Sequence, residues 1–161
     1  MGVRIRGTYG IEIVKLLFDR GASIHATDNK ACTALNVAAY HGHIEIVELL
    51  LDRGATIDAM TNQKYTALHL AANNGHIETM KLLLDRGATI DAVTNQKYTA
   101  LHMAAQKGHI EIVNLLLDRG ATIDVTTNEK CTVLHLAAQN GHTKIVKLLQ
   151  VHIAKFAAPV S

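Results

Sequence analysis

The sequence repeats itself with a period of 33 residues, and this period constrains the fold more than any local motif does. Residues 55–87 and 88–120 differ at only seven positions. A period of this length is typical of chains built from small units that stack on one another, because one unit alone cannot bury its apolar face. The sequence therefore predicts a stack of similar units.

The period divides the chain into five consecutive units within one predicted domain that spans all 161 residues. The first unit is incomplete, the next three are full, and the last is predicted to close the stack with an extended final helix. The units are residues 1–27, 28–60, 61–93, 94–126 and 127–161.

Each full unit carries the signals of two short helices. In the unit 61–93, Thr66 is suited to cap a first helix that Gly75 would end. A second apolar stretch runs to Asp85 and stops before Gly87. Helices this short are marginal alone, so stacking must supply the buried area, which stabilises by roughly 25 cal/mol per Å². The pattern predicts an all-α solenoid of helix pairs with a concave inner face.

Composition agrees with a stack of closely packed helices. Hydrophobic residues make up 48% of the chain and aromatic residues only 4%, which predicts an aliphatic, alanine-rich core. The net charge of +2 neither requires nucleic acid nor excludes an acidic partner. Cys32 and Cys131 lie three periods apart, too far for a disulfide if stacked helices are about 8–10 Å apart. Free thiols, no signal peptide and no membrane-spanning segment together predict an intracellular, cytoplasmic protein.

The N-terminal end departs from the repeat. Arg4 and Arg6 stand where a later unit has Leu70 and Ala72, which should be buried, so we expect no regular helix in residues 1–9. This end is either an irregular cap or part of a longer array, and we favour the longer array.

The C-terminal end departs in another way, because the last unit lacks the glycine that stops the second helix. The helix should therefore continue, with Ile145, Leu149, Ile153 and Phe156 at helical spacing. We expect this longer helix to cover the exposed face of the last unit, as terminal repeats do in other repeat proteins.

The motifs Thr-x-Leu-His, Ala-Ala-x-x-Gly-His and Leu-Leu-x-x-Gly-Ala recur at fixed offsets, and from about Gly10 to Leu149 the chain resembles the ankyrin repeat. The resemblance implies helix-turn-helix units joined by β-hairpin-like loops, and binding of proteins through the loop tips and the exposed side of the first helices.

Two positions differ from the family pattern. The proline expected after the capping threonine is Ala or Val here. The glycine expected two residues before that threonine is also replaced, and a non-glycine residue at positive φ is uncommon. We therefore expect these tips to be looser, or of another turn type, than in the family. The replacing residues are Ala31, Lys64, Lys97 and Lys130.

Ten histidines invite a metal or catalytic hypothesis, but most of them follow the repeat. Equivalent residues of stacked helices lie about 8–10 Å apart, whereas zinc ligands must meet near 2 Å from one point. A structural hydrogen bond between Thr66 and His69 is favoured instead. Repeated carboxylates such as Asp58 are spread along a ridge, so we expect solvated charges and helix-end contacts and no acid–base pair. No metal, cofactor or catalytic residue is predicted, and the chain is predicted not to be an enzyme.

The resemblance places a protein-binding surface on the hairpin tips and the exposed side of the first helices. Lysines interleaved with tyrosines could also stack nucleic-acid bases, but nearby acidic residues weaken the field, and exposed tyrosine is typical of protein interfaces. The predicted partner-binding residues are Asn29, Lys30, Cys32, Tyr40, Asn62, Gln63, Lys64, Tyr65, Asn73, Asn95, Gln96, Lys97, Tyr98, Gln106, Asn128, Glu129, Cys131 and Gln139.

The function favoured by these observations is a monomeric protein–protein interaction module with no small-molecule substrate. The alternative is a regulatory inhibitor that occludes an enzyme or a signalling partner. Adding the purified protein to a candidate enzyme would distinguish an inhibitor from a scaffold. The middle units share the tip Thr-Asn-Gln-Lys-Tyr. Recent duplication, a repetitive partner and an engineered origin each explain that identity.

Overall fold

The computed structural model describes the backbone of residues 2–157 and the side chains of residues 10–157. Helices form the regular secondary structure of this part of the chain, and an isolated antiparallel bridge joins Thr27 to Thr33. The prediction of an all-α chain is confirmed. The helices described are α1 (Gly2–Asp19), α2 (Ala34–His41), α3 (Ile44–Asp52), α4 (Ala67–Asn74), α5 (Ile77–Asp85), α6 (Ala100–Lys107), α7 (Ile110–Asp118), α8 (Val133–Gln139) and α9 (Thr143–Ala157).

The chain divides into two compact units, one ending at Thr89 and the other beginning at Ile90. In the first unit, α2 pairs with α3 and α4 pairs with α5, while α2 also packs on α4 and α3 packs on both α1 and α5. In the second unit, α6 pairs with α7 and α8 pairs with α9, and the two pairs pack through α6 with α8 and α7 with α9. Both units are therefore stacks of helix-turn-helix pairs, as predicted. The single domain and the concave face stay predictions.

A threonine cap begins the first helix of each pair. At the start of α4, Oγ1 of Thr66 accepts from the backbone N–H of His69, and Nδ1 of His69 accepts from the backbone N–H of Thr66 at 3.1 Å. Two backbone donors that would otherwise be unsatisfied thus find acceptors. Gly75 ends the helix in the left-handed conformation with φ 78°. The predicted structural roles of these three residues are confirmed.

The core is aliphatic and rich in alanine. In the first compact unit, Leu68 and Ala72 of α4 and Met80 and Leu83 of α5 are at most 1% exposed. Full burial of a Leu or Met side chain stabilises by about 1.5–3 kcal/mol, which offsets the cost of ordering helices too short to persist alone.

Aspartates in the loops connect successive repeats, a role that the sequence analysis missed. The carboxylate of Asp58 accepts from the backbone N–H of Thr89 at 3.0 Å and from its hydroxyl at 2.6 Å. Asp91 makes the same two bonds to Thr122, at 2.9 and 2.6 Å. These carboxylates are therefore ties between loops and not merely solvated charges.

The expectation of an irregular N-terminal segment is wrong, because α1 runs without a break from residue 2 to residue 19. Tyr9 stands at the repeat position of Gly42, where the chain turns with φ 71° to end α2. A tyrosine does not adopt that left-handed conformation readily. The helix therefore continues through the position at which later units turn.

The last helix is longer than its counterparts, as predicted, but its end covers less than expected. Ile145 and Leu149 are buried, whereas Ile153 is 38% and Phe156 is 79% exposed. The neighbouring helix α7 ends at Asp118, whose repeat counterpart is residue 151. Beyond that point, Ile153 and Phe156 line an open pocket together with Leu117 and Ile123, at the end of α7 and in the loop after it. They do not close this pocket, so the expectation that they cover an apolar face is wrong.

The four hairpin tips keep the left-handed conformation without glycine, so the expectation of another turn type is wrong. The φ angles of Ala31, Lys64, Lys97 and Lys130 lie between 59° and 61°. In the second tip, the backbone N–H of Lys64 donates to the carbonyl of Thr61 at 2.8 Å. The Thr61 N–H in turn donates to the carbonyl of Tyr65 at 3.0 Å. These bonds hold the lysine in a conformation that it disfavours intrinsically.

We expect the substitution Lys64→Gly to stabilise the protein. The left-handed region costs a non-glycine residue roughly 1–2 kcal/mol, and the greater freedom of glycine in the unfolded chain cancels about 0.5–1 kcal/mol of that gain. Urea denaturation should show an unfolding free energy higher by about 0.5–1 kcal/mol.

The control is the same substitution at Lys81, inside α5, where glycine should lower the unfolding free energy by about 1 kcal/mol. A loss of stability in the Lys64→Gly variant would contradict the argument that this position is strained.

Candidate protein-binding face

Within each compact unit, neighbouring hairpin tips bond to each other. The backbone N–H of Asn62 donates to the carbonyl of Lys30 at 2.9 Å, and its side-chain amide donates to the carbonyl of Asn29 at 3.2 Å. In the second unit, the Asn128 amide donates in the same way to the carbonyl of Asn95 at 3.1 Å. Two residues predicted to contact a partner therefore also hold the tips in register.

A groove of about 570 Å³ opens between the tips and the first helices of the first compact unit. It brings together six residues of the predicted binding set and five others. We name it the Cys32 groove. The six predicted residues are Lys30, Cys32, Tyr40, Asn62, Gln63 and Tyr65, and the others are Asn36, Val37, His41, Thr61 and Leu70.

The Cys32 groove is mainly apolar and its lining includes no carboxylate. Val37 and Tyr40, one turn apart on α2, are 49% and 47% exposed. The nearby carboxylate of Asp28 turns into its own hairpin, where it accepts from the backbone N–H of Cys32 at 2.9 Å and of Lys30 at 2.8 Å. These two bonds lower the pKa of the Asp28 carboxyl. The groove therefore offers an apolar floor beside a lysine.

The thiol of Cys32 forms part of this apolar lining. Burial raises its pKa above the ordinary value of 9.0, and the negative charge of Asp28 adds to the effect. The neutral thiol is a poor nucleophile, because the thiolate is the reactive form. Cys32 therefore contributes a small apolar surface to the groove.

Two apolar lining residues were absent from the sequence prediction. Val37 and Leu70 occupy the same position in successive units, one on α2 and the other on α4. Val37 lies three residues before Tyr40, which places the two side chains on one face of the helix. That spacing was the signal available in the sequence.

The rest of the predicted set lies at equivalent positions along both compact units. Lys64 in the first unit and several tip residues in the second are exposed, whereas Asn73, Gln106 and Cys131 are half-buried. Tyr98 is half-buried too, with its ring centroid 5.8 Å from that of His102. The exposed residues of the second unit are Asn95, Gln96, Lys97, Asn128, Glu129 and Gln139.

Histidines that recur in the repeats bond to the ends of first helices within each compact unit. Nε2 of His76 lies 2.9 Å from the carbonyl oxygen of Tyr40, and Nε2 of His142 lies 2.9 Å from that of Gln106. In the described part of the chain, no three side chains from His, Cys, Asp and Glu come together as metal ligands would.

Among residues 2–157, no helix combines the length and apolar character needed to cross a membrane.

A comparison with known protein families identifies the same repeats. A family model described as ankyrin repeats in three copies matches residues 5–94 and 90–157, which is more than half of the chain. No curated protein matches the sequence. Ankyrin repeats are generally protein–protein interaction modules and are typically non-catalytic.

Burial of His102 makes the stability of the protein depend on pH. The side chain is 0% exposed, and desolvation lowers its pKa below the ordinary value of 6.5, although backbone groups of Val125 and Cys131 oppose part of that shift. Below about pH 6.5 the unfolded chain therefore binds more protons than the folded one, and stability falls as the pH decreases. Urea denaturation between about pH 7.5 and about pH 5.5 should show this loss, at up to about 1.4 kcal/mol per pH unit.

The matched variant is His102→Asn, because Asn36 already occupies the equivalent position in another unit and makes the same cap. The variant should lose the share of the pH dependence that His102 contributes. Identical pH profiles for the two proteins would show that the buried imidazole does not titrate in this way.

Proposed function

Because the chain belongs to the ankyrin-repeat family, we propose that it is a non-catalytic module that binds a protein partner through its hairpin tips and the exposed side of its first helices. The observation that carries this proposal is the Cys32 groove, where six of the predicted residues converge. Exposed Val37 adds apolar surface beside Tyr40, which is one of the six. Aromatic anchors in apolar pockets are what dominate the energetics of protein interfaces.

A protein partner suits this face better than nucleic acid does. Binding to nucleic acid rests on contacts between phosphates and basic side chains, whereas the lining of the groove is mostly apolar and has one lysine, Lys30. Glu129 adds a carboxylate at the last tip. The polar tips and apolar groove match the polar rim and apolar centre of protein interfaces.

Binding without catalysis is supported by the way the polar groups are used. Thr66 and His69 are engaged in a cap, and Asp58 is engaged in a loop tie. General acid–base catalysis requires such groups to converge on a substrate. The free thiols of Cys32 and Cys131 support an intracellular location for this binding.

The proposal is tested by truncating Tyr40, whose backbone carbonyl keeps its bond to His76 when the side chain is removed. A partner is first captured by crosslinking from the native cell and then purified. In calorimetric titrations, Tyr40→Ala should weaken its binding about tenfold or more, as loss of an interface anchor does.

The control is Val151→Ala, which removes a side chain of similar exposure from α9, away from the tips. It should bind as the unsubstituted protein does, and circular dichroism should show both variants folded. Unchanged affinity in Tyr40→Ala, and also in Tyr65→Ala and Tyr98→Ala, would exclude this face as the binding surface.

A further inference from the structure

The Cys32 groove lies where the neighbouring repeats have aromatic rings. In the unit 61–93, the ring of Tyr65 packs against that of His69, with centroids 6.1 Å apart. The next unit repeats this pair with centroids 5.8 Å apart. The unit 28–60 has Cys32 and Asn36 at the two equivalent positions, so both rings are missing. Both smaller side chains line the groove.

The fold does not need the missing rings. Oδ1 of Asn36 accepts from the backbone N–H of Thr33 at 3.0 Å, which reproduces the cap that histidine makes in other units. The Asn36 amide also donates to the carbonyl of Ala59 at 3.2 Å. The polar groups of the cap therefore keep their hydrogen bonds, although Cys32 and Asn36 fill less volume than the tyrosine and histidine of the following unit. What remains is open space at the positions of the missing rings, within the groove and beside the exposed Val37 and Tyr40 of α2.

We propose that the Cys32 groove is a socket for one aromatic side chain of an acidic segment of the protein partner. The inserted ring takes the place that Tyr65 fills in the following unit. This inference rests on the proposed function, because it specifies the partner that the same face accepts.

The walls of the groove suit an aromatic ring. Val37 and Leu70 provide aliphatic surface, and Tyr40 and Tyr65 provide rings for edge-to-face or offset contacts. Such contacts contribute beyond the area they bury, because the edge of one ring is attracted to the face of another. The whole groove, at about 570 Å³, is larger than one ring. The inserted ring therefore occupies the part beside Cys32, and the flanking residues of the segment cover the rest.

The charge at the groove favours an acidic segment. Lys30 lines it, and the Asp28 carboxylate is turned into its own hairpin. Asp28 interacts electrostatically with Lys30, but it lies outside the lining of the groove, whereas Lys30 belongs to the lining. An acidic partner in the groove therefore meets a lysine directly, which favours association and correct orientation. A second copy of this chain fits less well. Phe156 is the most exposed aromatic side chain of residues 10–157, but it follows Lys155, which would bring like charge to Lys30.

The socket can be tested with blocked tripeptides, without knowledge of the natural partner. Glu-Phe-Glu, added at concentrations on the order of 1 mM, should shift the backbone amide resonances of Cys32, Asn36 and Val37 in heteronuclear NMR spectra. Glu-Ala-Glu, which lacks the ring, and Lys-Phe-Lys, which reverses the charge, should each bind about tenfold more weakly or worse.

A matched pair of variants assigns the effect to the recess. Cys32→Tyr supplies the ring that the following unit has and should abolish peptide binding. Cys131→Tyr makes the same change at the equivalent position of the last unit and should leave binding intact. If Cys32→Tyr does not fold by circular dichroism, Val37→Glu obstructs the groove at an exposed position and repels the acidic peptide. Val93→Glu is its control.

The socket would be overturned if Glu-Phe-Glu bound equally well to the unsubstituted protein and to Cys32→Tyr. It would also be overturned if Glu-Ala-Glu bound to the unsubstituted protein as well as Glu-Phe-Glu does. Self-association in analytical ultracentrifugation that Phe156→Ala abolishes would assign the groove to a second copy instead. A purified partner that Tyr40→Ala weakens but Cys32→Tyr does not would overturn the socket and leave the proposed function standing. A peptide-binding socket without any protein partner for this face would instead overturn the proposed function.

Discussion

Burial of one helix pair against the next is the constraint on which the rest of the structure depends. The helices from α2 to α8 have only seven to nine residues, which is too short to persist alone in water. Side chains such as Leu50 and Leu83 are 0% exposed because a neighbouring pair covers them. This requirement commits the inward positions to Leu, Ile, Val, Met and Ala and leaves the tips and outer faces free to vary.

Polar groups are arranged so that this burial leaves few of them unsatisfied. The Thr66–His69 cap satisfies donors at a helix start, and the Asp58–Thr89 bonds join successive loops. The cap needs an acceptor three residues after the threonine, but it does not need an imidazole, as Asn36 shows. Because cap chemistry and side-chain volume can be separated, one repeat can lose its rings and keep its fold. The Cys32 groove is the result.

Three expectations from the sequence were wrong for related reasons. Helix α1 continues through residue 9, where later units turn, because Tyr9 replaces the glycine that a left-handed turn favours. Lys64 keeps a left-handed tip because hydrogen bonds within its hairpin outweigh its own preference. Phe156 is exposed because the end of α9 borders an open pocket beside the loop that follows α7. In the last two cases, the tertiary environment of the residue decided its conformation or exposure, and a pattern of neighbouring residues in the sequence does not describe that environment.

The sequence by itself determined the repeat unit, its caps and its helix pairs, because those signals act between residues only a few positions apart. It also identified most of the polar and aromatic residues around the groove. Only the tertiary structure decided that they share one recess, because Cys32 and Val37 come from one repeat and Tyr65 and Leu70 from the next. A missing volume becomes visible only when the surfaces around it are packed together.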